Sequence, residues 1–291
     1  MDKLERAMGL LNQGKFEDAR PILEEIVAEN PRDWTALYNL GMCFTELGYP
    51  ERAIKALEQS VKYKPDHSNS YVALGVAHSK MNDFDSAKRH FTEALRINSK
   101  NSFALRNLGE LLGKLGQMEE SLRYLEEAYH IDASDPKTVY GLGHVYQHVG
   151  NDEKADKFYR QVVKMDAPAP LKDLAKDGLR EIAWSHLKAK GLRMDAVLYL
   201  LSALKFFGQK SEDEVRRIAF EIAMRGTKGF DINNPDKTYT LNNLEGQFTG
   251  LQLVCYMYVG FKKIAPEQDI GVDLSQEYNI ALQLFNSEEV I

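Results

Sequence analysis

The sequence predicts an all-α fold: a solenoid of antiparallel helix pairs followed by a C-terminal helical domain. Three observations predict it. Apolar and small residues recur three and four positions apart, which is the spacing of a helix face. Breaks such as Gly48-Tyr49-Pro50 divide this pattern into pairs of helices. The complete pattern returns every 34 residues, and a period of this length indicates a stacked helical array.

The stretch from residue 35 to residue 65 shows the repeating unit most fully. Leu40-Gly41 lets two helices approach closely because glycine has no Cβ, and Ala53 does the same on the second helix. Pro65 ends the second helix because it cannot continue one. Equivalent residues predict five such units within residues 1–168. The counterparts of Leu40-Gly41 are Leu74-Gly75, Leu108-Gly109 and Leu142-Gly143. The first unit, counted backwards, contains Ala7, Gly14, Phe16, Ala19, Leu23 and Pro31.

The remaining sequence predicts helices without the regular period. Residues 169–208 follow a proline-rich turn and predict a degenerate sixth helix pair, with helices at 171–190 and 194–207. Residues 209–291 predict a C-terminal helical domain. Its helices are expected from a capping box at 211–214 to about residue 225, at 248–263 and at 274–285. A long loop at 226–247 carries a short predicted strand at 238–241.

Composition and charge narrow the class of function. The chain has 291 residues, 44% of them hydrophobic, so it can bury a large core. Its 37 basic and 43 acidic residues give a net charge of −6, which argues against nonspecific binding to nucleic acid or to an anionic membrane. The first residues lack the apolar core of a signal peptide, and no apolar stretch has the length of a membrane span. We therefore expect a soluble, cytoplasmic protein.

The sequence contains few candidates for catalysis or metal binding. Cys43 and Cys255 lie inside apolar helical patterns, as buried free thiols do. His144 and His148 share a helix face, but the sequence offers no evident third metal ligand beside them. The loop with Asp231 lacks the glycine and the distal glutamate of a calcium-binding loop. We expect no catalytic residue, no metal and no cofactor.

The 34-residue units resemble the tetratricopeptide repeat (TPR) family, over residues 1 to about 168. The resemblance implies a right-handed superhelical solenoid whose first helices line a concave groove for a peptide or a partner helix. It therefore implies a non-catalytic scaffold or adaptor with a protein or peptide partner. Carried onto this sequence, the groove contains Thr35, Tyr38, Asn39, Met42, Asn69, Val72, Val76, Lys80, Arg106, Asn107, Glu110, Lys114, Tyr140, His144 and His148.

The sequence leaves other functions open. Family members that bind the acidic C-terminus of heat-shock chaperones use a clamp of Lys, Asn and Arg, whereas Tyr38 and Val72 occupy two of those places here. A regulatory or sensor protein whose C-terminal domain binds a small molecule or a dedicated partner is one alternative, and a hydrolase in that domain is another. Self-association is a further possibility, through the N-terminal helix pair or through the acidic C-terminal tail at 286–291. In that hypothesis the tail meets Lys80, Arg106 and Lys114.

Overall fold

A computed structural model of the chain describes residues 3–189, 191–226, 229–242 and 244–286. Helices account for most of these residues, as predicted. The first ten helices are α1 (Lys3–Asn12), α2 (Phe16–Glu29), α3 (Trp34–Glu46), α4 (Pro50–Tyr63), α5 (Ser68–Lys80), α6 (Phe84–Ile97), α7 (Ser102–Lys114), α8 (Met118–Ile131), α9 (Pro136–His148) and α10 (Asp152–Lys164). They are followed by α11 (Ala169–Ala189), α12 (Met194–Gly208), α13 (Glu212–Gly226), β1 (Thr238–Tyr239), β2 (Phe248–Thr249), α14 (Gly250–Ile264) and α15 (Ser275–Asn286).

The chain divides into two compact units, at 1–178 and 179–291. In the first unit, helices α1 to α10 form five consecutive pairs, and the two helices of each pair pack against each other. The first helix of each pair also contacts the first helix of the next pair, from α1 through α3, α5 and α7 to α9. These first helices therefore form a continuous layer, as in a solenoid. The domain limits that we predicted at residues 168 and 208 stay a prediction.

The turn inside each helix pair needs a residue with a left-handed backbone. Gly14, Gly48, Gly116 and Gly150 take φ angles between 71° and 80°, where a residue with a Cβ is strained. In the third pair the same place is occupied by Asn82, with φ of 60°. Among the non-glycine residues described, Asn82 alone has a positive φ. Asparagine tolerates this conformation better than most residues, so the turn is preserved without glycine.

The two helices of a pair cross where the predicted glycines lie. A Cβ at Gly109 would be 2.8 Å from Cγ of Leu125, and a Cβ at Gly75 would be 2.4 Å from the ring of Phe91. The same relation holds for Gly41 with Leu57 and for Gly143 with Tyr159. Each large side chain fills the space that the glycine opposite leaves empty. This confirms the prediction that the repeated Leu-Gly positions allow close helix packing.

The second unit has its own hydrophobic core, contributed mainly by α12, α13 and α14. α12 packs against α14 and α15, and α13 packs against α14. β1 and β2 form a short antiparallel pair, with Thr238 opposite Thr249. The predicted strand is thus two residues long, and the helix predicted from Phe248 begins at Gly250 instead. The reason is local: Phe248 pairs with β1, and Thr249 caps α14 through the backbone N–H of Gln252.

Two further predictions concern burial and hydropathy. Cys43 and Cys255 are buried free cysteines, as expected. Burial raises the pKa of Cys43 to about 11 and that of Cys255 to about 12, so both thiols are protonated at neutral pH. Within the ranges that the structure describes, no helix combines the length and the hydropathy that crossing a membrane requires.

Candidate functional site

The layer of first helices contains a concave pocket with a volume of about 330 Å³. It brings together seven of the predicted groove residues from three successive repeats. The residues that line it are Tyr38, Met42, Thr45, Glu46, Asn69, Val72, Ala73, Val76, Phe103, Arg106, Asn107 and Lys137. The pocket thus draws mainly on α3, α5 and α7, and it continues to the start of α9 through Lys137.

The pocket offers apolar surface to solvent. Met42 and Phe103 are 40% and 52% exposed, although both are large and apolar. Val72 lies deeper and is buried among the helices, with one side reaching the pocket. An exposed apolar surface of this kind, bordered by polar side chains, is characteristic of an interaction site.

Arg106 is the most buried of the charged residues that line the pocket, and it is already paired. Its Nη1 donates to Oδ2 of Asp135 over 2.8 Å, and its Nε lies 3.7 Å from Oε1 of Glu110. The guanidinium carbon lies 5.4 Å from the centre of the Phe103 ring, a cation–π distance. The Arg106 side chain is 12% exposed and that of Asp135 is 19% exposed. The pair is therefore largely shielded from water, and the two charges neutralise each other.

The two carboxylates beside Arg106 respond differently to their surroundings. Burial disfavours the charged form of Asp135, but hydrogen bonds from Thr138 and Arg106 outweigh this effect and lower its pKa. Glu110 keeps 44% of its side chain exposed, yet it lies within the concave surface. There, loss of water raises its pKa, and the charges of Arg106 and Lys137 oppose the rise. Asp135 is accordingly the firmly ionised partner of Arg106.

The two asparagines that line the pocket, Asn69 and Asn107, have defined orientations. The orientation of Asn69 is set by its neighbour Asn101. Asn101 caps α7 by accepting from the N–H of Ala104 through Oδ1, so its Nδ2 must be the donor to other groups. That Nδ2 donates to Oδ1 of Asn69 over 2.8 Å. Asn107 donates its own Nδ2 to the carbonyl of Phe103 over 2.7 Å. These bonds leave the amide nitrogen of Asn69 and the carbonyl oxygen of Asn107 available to a ligand.

A second hollow of about 440 Å³ lies further along the same layer. It brings together the predicted residues Glu110, Lys114, Tyr140 and His144, with Lys137 between the two hollows. The ammonium of Lys114 lies 5.0 Å from the centre of the Phe84 ring. The rings of His144 and His148 are 4.3 Å apart, and Nδ1 of His148 lies 2.9 Å from the carbonyl oxygen of His144.

Four predicted groove residues lie outside both hollows. Asn39 is buried and donates to the carbonyl of Thr35 over 2.9 Å. Lys80 donates to the carbonyl of Thr45, also over 2.9 Å. His148 bonds within its own helix, as described above. The side chains of Asn39, Lys80 and His148 thus contact helix backbone, and the place of all four residues in a binding surface stays a prediction.

Sequence reasoning missed Glu46 and Asp135, which neighbour the predicted residues. Asp135 precedes Pro136 at the start of α9, where an acidic side chain accepts from the first N–H groups of the helix. That position signals a cap, but nothing in the sequence pairs it with Arg106 of the preceding repeat. Across the described residues, no group of three or more His, Cys, Asp or Glu side chains is placed to hold a metal ion.

Comparison with known proteins gives a consistent fold. Family profiles described as tetratricopeptide repeat match residues 4–69, 72–136 and 136–168. The TPR protein TTC0263 of Thermus thermophilus is 20% identical with a TM-score of 0.56, over 61% of this chain and 97% of that one. PilF of Pseudomonas aeruginosa is 17% identical with a TM-score of 0.53, over 64% and 89% of the two chains. Among curated protein sequences the chain has no significant match. At this identity the two structures support the fold.

Proposed function

Because the chain belongs to the tetratricopeptide repeat family, we propose that it is a protein-interaction scaffold or adaptor. In this proposal a peptide or a partner helix binds in the concave pocket. The observation that carries it is the exposure of Met42 and Phe103 in one hollow, bordered by asparagine and by charged side chains. In protein interfaces a few anchor side chains packed into such pockets supply most of the binding energy.

The polar border supports a protein ligand over a purely apolar one. Asn69, Asn107 and Lys137 provide hydrogen-bonding groups around the apolar side chains of the pocket. A main chain carries one donor and one acceptor at nearly every residue, and a site for it needs partners of both kinds. The buried thiols, with their high pKa, also make a poor starting point for nucleophilic catalysis. That the protein lacks enzymatic activity stays a prediction.

The proposal can be tested with the full-length chain and a displayed library of random peptides long enough to form several helical turns. Met42→Glu places a charge in the pocket, whereas Met81→Glu is the control and places one outside it. The two methionines are similarly exposed, Met42 at 40% and Met81 at 42%. We expect sequences enriched by the wild type to be lost with Met42→Glu and retained with Met81→Glu. Enrichment that survives Met42→Glu, or no enrichment at all, would exclude the pocket as the binding site.

The remaining functional hypotheses stay predictions. These are a regulatory or sensor role or a hydrolase activity of the C-terminal domain, a cytoplasmic location, and self-association through the first helix pair or through the C-terminal tail. The tail residues 287–291 lie outside the described part of the chain. The cations expected to meet the tail have partners of their own: Arg106 bonds Asp135, Lys80 bonds the carbonyl of Thr45, and Lys114 lies over Phe84.

A further inference from the structure

The charges of the concave pocket indicate which kind of side chain it accepts. Arg106 and Lys137 are the cations that line it. Lys137 is exposed to water, whereas Arg106 is more buried and is neutralised by the carboxylate of Asp135 at 2.8 Å. Glu110, 3.7 Å from Arg106, adds a second carboxyl group on the side of the neighbouring hollow. A ligand carboxylate would have to give up water and compete with Asp135 for the same guanidinium. Such a group loses more on desolvation than it regains from a cation that is already paired.

We propose that the pocket formed by Tyr38, Met42, Val72, Val76 and Phe103 takes an uncharged aliphatic or aromatic side chain of an extended peptide and discriminates against a carboxylate there. This rests on the function proposed above and specifies its ligand. The volume of about 330 Å³ lies at the small end of the ~300–1,000 Å³ usual for ligand pockets. It suits one large anchor side chain with the adjoining main chain.

The two asparagines define how the main chain is held. Asn69 has a free amide donor, because its Oδ1 is bound by Asn101. Asn107 has a free carbonyl acceptor, because its Nδ2 is bound to the carbonyl of Phe103. A peptide group offers one acceptor and one donor, so its C=O accepts from Asn69 and its N–H donates to Asn107. An extended segment leaves these groups unpaired within itself, whereas a helix uses them internally.

The inference is tested on peptides from the library selection described above. Each selected peptide is synthesised with its most strongly selected apolar residue replaced by Ala or by Asp, and binding to the full-length chain is measured by calorimetry. We expect Ala to weaken binding about tenfold, as at an interface hot spot, and Asp to weaken it further. Asn69→Asp keeps the acceptor for Asn101 but removes the free donor. Because this change also adds a negative charge, it is compared on the parent and the Ala-substituted peptide only, whose binding it is expected to weaken by a similar factor.

A change at Asp135 tests the cause of the discrimination. Asp135→Asn keeps a helix-capping side chain but removes the charge that neutralises Arg106. We expect the Asp-anchored peptide to gain about fivefold or more in affinity relative to the apolar parent. Asp132→Asn is the matched control, because the Asp132 carboxylate accepts from Ser134 instead of from Arg106. It is expected to leave the ratio between the two peptides unchanged.

The outcomes separate this inference from the proposed function. If no peptide binds in a manner that depends on Met42, the proposed function fails and the inference fails with it. If Met42-dependent peptides are selected for acidic anchors, or if Asp135→Asn leaves the penalty for Asp unchanged, the inference fails while the groove function stands. Apolar anchors together with a penalty relieved by Asp135→Asn support both.

Discussion

Arg106 of one repeat and Asp135 of the next are joined by a 2.8 Å hydrogen bond on the concave surface. Arg106 lies on α7, and Asp135 caps the N-terminus of α9 through the N–H groups of Lys137 and Thr138. One carboxylate therefore performs two tasks: it starts a helix and it fixes the cation of the preceding repeat. The pair links neighbouring repeats as well as setting the charge of the pocket.

The first prediction concerns the energy of this pair. Because its side chains are 12% and 19% exposed, it should exceed the ~0–1 kcal/mol of a surface ion pair. In a double-mutant cycle with Arg106→Ala and Asp135→Asn, we expect a coupling energy of about 1–3 kcal/mol from urea unfolding. Full additivity of the two single changes would show that the pair contributes nothing to stability.

The second prediction concerns the helix crossing at Gly109. A Cβ there would lie 2.8 Å from Leu125 and 3.2 Å from the backbone oxygen of Ser121, so it cannot be accommodated without a shift of α8. We expect Gly109→Leu to lower the free energy of unfolding by about 1–3 kcal/mol or more. Denaturant unfolding followed by circular dichroism measures this change.

Gly9 provides the control for that substitution. It lies within α1, and a Cβ at this position would have nothing within 4 Å. Gly9→Ala should therefore stabilise the protein by about 0.5–1 kcal/mol, because alanine is the better helix former. Stabilisation by Gly109→Leu similar to that by Gly9→Ala would mean that helix propensity, and not the crossing, determines the result.

The repeat architecture was predictable because the residues that determine the packing of each repeat lie close together in the sequence. The Leu-Gly positions, the turn glycines and the 34-residue period all follow from short-range steric needs, and they recur often enough to confirm one another. The prediction was less accurate where an element of the second unit depends on pairing with another strand. The start of α14 shows this, because Phe248 belongs to a strand pair that only its partner at Tyr239 defines.

The groove was predictable as a surface but not as a chemical environment. Helical periodicity places Tyr38, Met42 and Asn107 toward one layer, and they do line one pocket. Periodicity says nothing about which charges are free. Arg106 was expected to offer positive charge, and Asp135, 29 residues later, neutralises it. Such a pairing depends on the rotation between neighbouring repeats, which the sequence period does not specify.

The third prediction uses the turn of the third repeat. Asn82 takes φ of 60°, where the other four repeats use glycine. Asn82→Gly should leave stability unchanged or raise it slightly, whereas Asn82→Ala should cost about 1–2 kcal/mol, since alanine lacks the polar side chain that helps asparagine in this conformation. Thermal unfolding of both variants measures the difference. Equal stability of the Gly and Ala variants would show that this turn relaxes to another conformation.

The last prediction concerns His90, on α6. Its ring stacks on that of His78 at 5.1 Å and lies 6.4 Å from the ring of Tyr71. Burial is the main reason that the pKa of His90 falls from 6.5 to about 4, and the charges of His78 and Arg89 add to the effect. The carboxylates of Asp83 and Glu93 act in the opposite direction but are outweighed.

This shift makes stability depend on pH over a defined window. Between pH 6.5 and about 4, the unfolded chain binds a proton at His90 that the folded chain does not, so stability falls as pH falls. Because the side chain is partly exposed, the loss should reach at most about 3 kcal/mol. His90→Phe keeps an aromatic ring in the stack and should remove this part of the pH dependence. Urea unfolding of both proteins at several pH values, with an NMR titration of His90, measures it. A titration near pH 6.5 would contradict the prediction, because the folded and unfolded chains would then bind the same proton alike.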